Sequence, residues 1–228
     1  LVYTLIEYNF DSSIKQIDCG YQQTLFLTEK GNVYGCGPNC YKELTDKYKP
    51  LKSSEYSICK IFSDVIKVGC CYSTSLVLTK TGELKIFGKN IQKSGIYNKG
   101  INTLNPTNII DFGCGYEHFG YITNNGELYM GGTNGSYECG YKSSSYTDRC
   151  DVKKFEMDNN DEIISVRCGW NYSIIKTIKN DYYSFGNNSS KQLLLDIEAN
   201  KCFPRIISLK WIKDNITFSN KAIIDLIP

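Results

Sequence analysis

Apolar and polar residues alternate along this chain in short runs that return on a schedule. Segments such as Ile14-Lys15-Gln16-Ile17-Asp18-Cys19 and Ile163 to Cys168 place their apolar residues on one face, the period of a half-buried strand. Each is followed by small residues and then by a short run that is nearly all apolar: Leu25-Phe26-Leu27, Leu76-Val77-Leu78, Gly120-Tyr121-Ile122 or Ile174-Ile175. A run that short and apolar predicts a strand covered on both faces. Turn residues come next, at Lys30-Gly31, Thr81-Gly82, Asn125-Gly126 and Lys179-Asn180. Gly and Asn accept positive φ, and Asn-Gly is a strong hairpin signal. A third strand is expected over Asn32 to Cys36 and over Glu127 to Met130.

This pattern occurs four times. Cys19, Cys70, Cys114 and Cys168 are each followed nine residues later by Thr28, Thr79, Thr123 and Thr177. Nine residues further stand Gly37, Gly88, Gly132 and Gly186, then Asn39, Asn90, Asn134 and Asn188. The cysteines are 51, 44 and 54 residues apart, so the length variation lies in the connecting segments. A three-strand antiparallel meander of this size, with a variable connector supplying a fourth, outer strand, cannot bury itself alone. It needs a like neighbour on each side, and radial blades around a channel satisfy that need. The predicted fold class is therefore all-β, a β-propeller of antiparallel meander blades.

The repeat resembles that of the regulator of chromosome condensation family: Cys-Gly, a Ser/Thr, Leu-x-Leu-Thr, a turn glycine, then Gly-x-Asn. The family also favours a histidine four residues after the cysteine, present once at His118, and a tryptophan before the last glycine. Cys36, Phe87, Gly131 and Phe185 stand at the tryptophan position instead, and the Gly-Gln-Leu-Gly ending is degraded to Lys42-Glu43-Leu44-Thr45 and Lys191-Gln192-Leu193-Leu194. The units are expected at residues 14–50, 56–105, 106–160 and 161–203, with a degenerate fifth over 204–228, since Pro204 to Leu209 imitates the entry of the third unit. Residues 1–10 are expected to be strand-like. Residues 1–228 are then expected to make a single propeller of four to five blades, where propellers of the family the repeat resembles have seven: a piece of a longer protein, a smaller closed ring, or an arc completed by another chain. An open arc exposes unpaired edges and invites self-association.

Composition refines this. With 41% hydrophobic, 13% aromatic and 22% charged residues the chain is that of a globular protein able to build a core. Its apolar runs are far below the ~20 residues of a membrane span, so no membrane role is expected. The net charge of +2 gives no field to recruit nucleic acid, and chromatin binding would need a basic tail or patch that is not seen. Of the eleven cysteines, four hold one repeat position where a small apolar side chain is wanted. The odd total points to reduced thiols in an intracellular compartment, cytoplasmic or nuclear. The pairs Cys36/Cys40 and Cys70/Cys71 lack the spacing of a zinc site. The Asn-x-Ser/Thr triplets at Asn134, Asn171, Asn187, Asn188 and Asn215 are expected by chance in so asparagine-rich a chain.

No catalytic constellation is indicated. Nucleophilic catalysis wants a Ser or Cys with a His and an orienting carboxylate. The one histidine, His118, shares its repeat position with Gln23, Thr74 and Tyr172, which points to a strand-end hydrogen-bonding place. Gly131-Gly132-Thr133-Asn134-Gly135 lacks the lysine of a phosphate loop. No catalytic, cofactor-binding or metal residues are therefore nominated, and no cofactor. A partner surface is expected on loops, at Lys89 to Lys99 or at the insertion Tyr137 to Asp151. The residues nominated to face a protein partner are His118, Tyr137, Glu138, Tyr141, Tyr146, Asp148 and Arg149. The expected function is a regulatory protein-interaction scaffold. The resemblance also implies a guanine-nucleotide exchange factor for a small Ran-like GTPase, with Tyr137 to Asp151 as its protruding element, or the propeller part of a larger ubiquitin-ligase or kinase chain.

Overall fold

A computed structural model describes residues 7–45, 57–89, 102–104, 108–145, 147, 149–157, 161–195 and 201–207. They form four four-stranded antiparallel sheets, and no helix occurs among them. The first sheet holds β1 (Ile14–Cys19), β2 (Thr24–Thr28), β3 (Val33–Cys36) and β4 (Cys59–Phe62), in that order. The second holds β5 (Val65–Cys70), β6 (Thr74–Thr79), β7 (Leu84–Gly88) and β8 (Asn102–Leu104). The third runs β9 (Ile109–Cys114), β10 (His118–Thr123), β11 (Leu128–Thr133) and β12 (Arg149–Lys154), and the fourth β13 (Ile163–Cys168), β14 (Tyr172–Thr177), β15 (Tyr182–Asn187) and β16 (Lys201–Ile207).

The first strands of neighbouring sheets, β1, β5, β9 and β13, lie side by side. They line an axis from which the sheets radiate, and the fold is a β-propeller whose described blades number four. Three apolar cores fill the gaps between successive sheets. Leu25, Leu27 and Val33 meet Val65, Val68 and Val77 in one of them. Leu76, Leu78 and Leu84 meet Ile109, Phe112 and Tyr121 in the next, and Ile122, Leu128 and Met130 meet Ile163, Val166 and Ile175 in the third. The predicted two-sided burial of the second strand holds throughout β6 and β10.

Each repeated residue has a visible task. The cysteine ends the inner strand. The threonine closes the β2–β3 turn: Thr28 N–H donates to Asn32 O at 2.9 Å, and its counterparts Thr79, Thr123 and Thr177 do the same. The repeated glycine has φ between 108° and 138° in all four units, and a Cβ on Gly132 would lie 2.4 Å from Glu117 O. No side chain fits there. The asparagine caps the following loop: Asn134 Oδ1 accepts from Cys139 N at 3.0 Å while its Nδ2 donates to Tyr141 O at 3.0 Å, and Asn39 and Leu44 repeat the first contact at 2.8 Å. Asn134 and Asn188 are accordingly buried.

Several boundaries differ from the sequence reading. Residues 59–62, placed in the second unit, complete the first sheet as β4. Residues 204–207, assigned to a fifth unit, belong to β16, the outer strand of the fourth sheet, which reaches back to Lys201. Proline opens no new blade there: the stretch pairs with β15 on one side, Tyr183 opposite Ile206. Residues 7–10 form no strand, and Tyr8 and Phe10 instead pack on Phe26 and Tyr34. The remainder of the proposed fifth unit, residues 1–6 and the loop 90–99 lie outside the described residues.

Candidate functional site at the channel mouth

All four inner strands finish at the same end of the axis. Two residues beyond each repeated cysteine stands an aromatic: Tyr21, Tyr72, Tyr116 and Trp170. Their rings run in one stack across the four blades, with centroids 4.2, 4.6 and 4.5 Å apart. The backbone enforces this. Tyr21 N–H donates to Tyr72 O at 2.9 Å, Tyr72 N–H to Tyr116 O at 2.8 Å, and Tyr116 N–H to Trp170 O at 3.2 Å. A hydrogen-bonded rung between blades thus sets each side chain over the next. The end rings are open to solvent, Tyr21 62% and Trp170 66% exposed. Burial, with the hydroxyls of Tyr21 and Tyr116 beside it, pushes the Tyr72 phenol up to about 12.

The arc rims a cavity of about 530 Å³ whose lining consists of Cys, Gly, Tyr and Trp alone, from Cys19, Gly20 and Tyr21 round to Cys168, Gly169 and Trp170. The cysteines are thiols, and burial pushes Cys70 well up and Cys168 up to about 12. Cys70 and Cys168 are thus inert small hydrophobes at neutral pH. The lining holds no formal charge. Deeper along the axis the wall is charged. Lys67 pairs with Asp111, which Arg167 also meets at 3.0 Å, and Lys67 Nζ donates to Phe112 O at 2.6 Å. Asp18 accepts from Cys70 N at 2.7 Å, and burial raises its carboxyl. Gln16 clasps Val68 through both backbone groups, at 2.8 and 3.1 Å. These groups fasten one inner strand to the next.

The nominated partner-facing residues do other work. His118 is fully buried, and its Nε2 lies 3.0 Å from Ser173 Oγ on the next blade. Ser173 gives its one hydroxyl proton to Glu138 O at 2.8 Å, which assigns the ring proton to Nε2. The ring's Nδ1 has no partner among the described residues, and burial pulls its pKa down to about 4. The histidine latches blade three to blade four, as Gln23 latches blade one to blade two by donating to Cys71 O at 3.1 Å. It cannot meet a partner from there. The Glu138 carboxylate is also buried, accepting from Ser136 N at 2.7 Å. Tyr137 stacks on Phe203 at 4.8 Å, and Tyr141 donates its hydroxyl to Lys153 O at 2.9 Å. Arg149 pairs with Glu117, which Lys89 also reaches at 2.9 Å. Tyr137, Glu138, Tyr141 and Arg149 are therefore held within the blades, while Tyr146 and Asp148 lie outside the described residues. The aromatic arc was missed. Its signal, an aromatic two residues after every repeated cysteine, stands in the sequence.

The serine–histidine contact is closed to solvent and ends on a carbonyl, so it is packing between blades and not a nucleophile with its base. Among the described residues no three His, Cys, Asp or Glu side chains are placed to hold a metal ion, and no helix is long and apolar enough to cross a membrane.

Residues 14–42 match the family described as the regulator of chromosome condensation (RCC1) repeat. The match covers the first of the four repeated units. It is 24% identical over 209 residues to the ultraviolet-B receptor UVR8 of Arabidopsis thaliana, covering 85% of this chain and 46% of that protein. To the secretion-regulating guanine nucleotide exchange factor of Bos taurus it is 22% identical over 205 residues, covering 82% and 44%. Among solved structures, yeast RCC1 (Prp20) bound to Kap60 superposes with a TM-score of 0.71 at 19% identity, covering 89% of this chain and 50% of that one. The chain thus spans about half the length of the curated relatives it matches. The likeness to the yeast protein concerns the fold.

Proposed function

We propose that this repeat chain is a regulatory protein-interaction scaffold whose working surface is the channel mouth bearing Tyr21, Tyr72, Tyr116 and Trp170. The observation that carries this is the exposed stack itself. Aromatic side chains that can bury large areas at low entropic cost are held in fixed order by backbone rungs, and such preformed aromatic surfaces are where binding energy concentrates. Nothing in the fold requires the end rings to be aromatic, since both are mostly in water. Selection of a displayed random-peptide library on the chain tests it. Enrichment that disappears with Tyr21→Ala and Trp170→Ala is expected; enrichment that neither substitution changes rejects the mouth as the surface.

Exchange activity on a small GTPase is the second reading, favoured by the similarity to the Bos taurus exchange factor. It ranks lower because the insertion nominated to protrude is tied down through Tyr137, Glu138 and Tyr141. Release of a fluorescent guanine nucleotide from a Ran-like GTPase decides it: an unchanged rate with the chain present removes this reading. An intracellular setting, cytoplasmic or nuclear, is in keeping with the free thiols of Cys70, Cys71, Cys139 and Cys150 packed as core residues.

A further inference from the structure

We infer that the aromatic arc receives a proline-rich segment of a partner protein in the polyproline II conformation, an assignment that rests on reading the channel mouth as the working surface. The chemistry of the lining narrows the occupant. With only Cys, Gly, Tyr and Trp around the mouth, no cation is placed for a phosphate backbone and no carboxylate for a lysine or arginine. The complementary ligand is uncharged. At the rim the arc offers hydrogen-bond donors: the Trp170 indole N–H, which has no acceptor among the described residues, and the one phenol proton left over when the Tyr72 hydroxyl bonds those of Tyr21 and Tyr116. A polyproline II segment presents the converse, carbonyl acceptors and no backbone donors, with apolar rings between them.

Shape agrees. The successive centroid spacings make the arc at most about 13 Å long, which four residues at about 3.1 Å each would cover. The arc is one ring wide, a ridge beside a shallow hollow, so it suits an extended chain better than an amphipathic helix with its diameter of about 10 Å. Aromatic-lined grooves recognise proline-rich segments in this manner because the ligand is already ordered before it binds. Trp170 contributes one open ring face, since only its other face lies on Tyr116, at an interplanar angle of 7°.

Calorimetric titration of the 228-residue chain with a capped ten-proline peptide tests the assignment. Saturable binding is expected, weakened at least tenfold by Trp170→Ala and by Tyr21→Ala, retained by Trp170→Phe, and unchanged by Ile178→Ser, an exposed position at the far end of the blades. All four variants should melt cooperatively like the parent. Absence of binding to the parent, or equal binding by the two alanine variants, overturns the proposal. The peptide selection above separates its failure from that of the scaffold reading: enriched peptides that need Trp170 but lack proline keep the scaffold and overturn the proline-rich ligand, whereas no arc-dependent peptide overturns both.

Discussion

The inner blades and the end blades contain the same residue types at the same repeat positions and bury them differently. Val68, Phe112 and Val166, two residues before the cysteine, are almost wholly buried, at 1%, 1% and 0%, because each faces the second strand of the preceding sheet. Ile17 holds that position in the first blade and is 56% exposed. The second strands tell the same story from the other side. Every residue of β6 and β10 is buried, but burial alternates in β14, where Lys176 stands in place of Leu27, Leu78 and Ile122 and lays its ammonium over Tyr182 at 5.5 Å. Burial in this fold is conferred by the neighbouring sheet, not by the residue. The largest effect should therefore separate the two regions. Phe112→Ala should cost about 3–5 kcal/mol in a denaturant melt, the usual loss for a large core aromatic, whereas Ile17→Ala should cost under about 1 kcal/mol. Equal losses would mean that Ile17 is covered in solution, and the end blade would have to be regarded as joined to something.

The latch position sharpens the comparison by pH. His118 and Gln23 hold equivalent places, but only the histidine titrates, and it is the one histidine in the chain. Its folded-state pKa is about 4, below the ordinary value of 6.5. The unfolded chain therefore takes up the proton first as the pH falls, and stability drops between about pH 6.5 and 4, by on the order of 3 kcal/mol across the window. Above about 6.5 the group contributes no slope. His118→Gln, which copies the first blade's latch, should remove most of that pH dependence while leaving neutral-pH stability within about 1–2 kcal/mol of the parent. Thermal melts of both chains at pH 4.5 and 7.5 read it directly. A loss that persists in the variant would rule out His118 as its source; Asp18, whose carboxyl is raised by burial, acts with the opposite sign and cannot supply it.

How much was legible follows from the same contrast. Cys, Thr, Gly and Asn recur because each answers a local demand of its own meander, and local demands repeat with the sequence. The strands, their turns and the propeller could be read from them. The positions of the outer strands could not. β4 and β16 are set by pairing with β3 and β15 across connectors of unequal length, and no periodic residue marks them. The surroundings of the nominated residues were hidden for a related reason. His118, Glu138 and Arg149 look like surface chemistry in a list of residues, yet His118 and Glu138 are buried against Ser173 and Ser136, and Arg149 is paired with Glu117. The aromatics after the cysteines were given no role. Only the rungs between blades show that they stack at a solvent-filled mouth.

The smallest effect concerns the turn after the second strand, where Gly31, Gly82 and Gly126 are replaced in the fourth blade by Asn180. All four have positive φ, +82°, +77°, +73° and +67°. Positive φ alone would make glycine and asparagine nearly interchangeable. In the third blade there is a second constraint, because a Cβ on Gly126 would lie 2.8 Å from the Cβ of Glu162 at the entry to the next sheet, beside the Ile163 N–H that donates to Gly126 O at 3.0 Å. Gly126→Val violates both constraints and should cost more than ~1 kcal/mol. Gly126→Asn violates only the crowding and should still cost about 1 kcal/mol, while Asn180→Gly should change stability by no more than a few tenths. If the two asparagine–glycine exchanges prove equal in a denaturant melt, the glycine serves the turn alone and the close approach of the next blade is not what selects it.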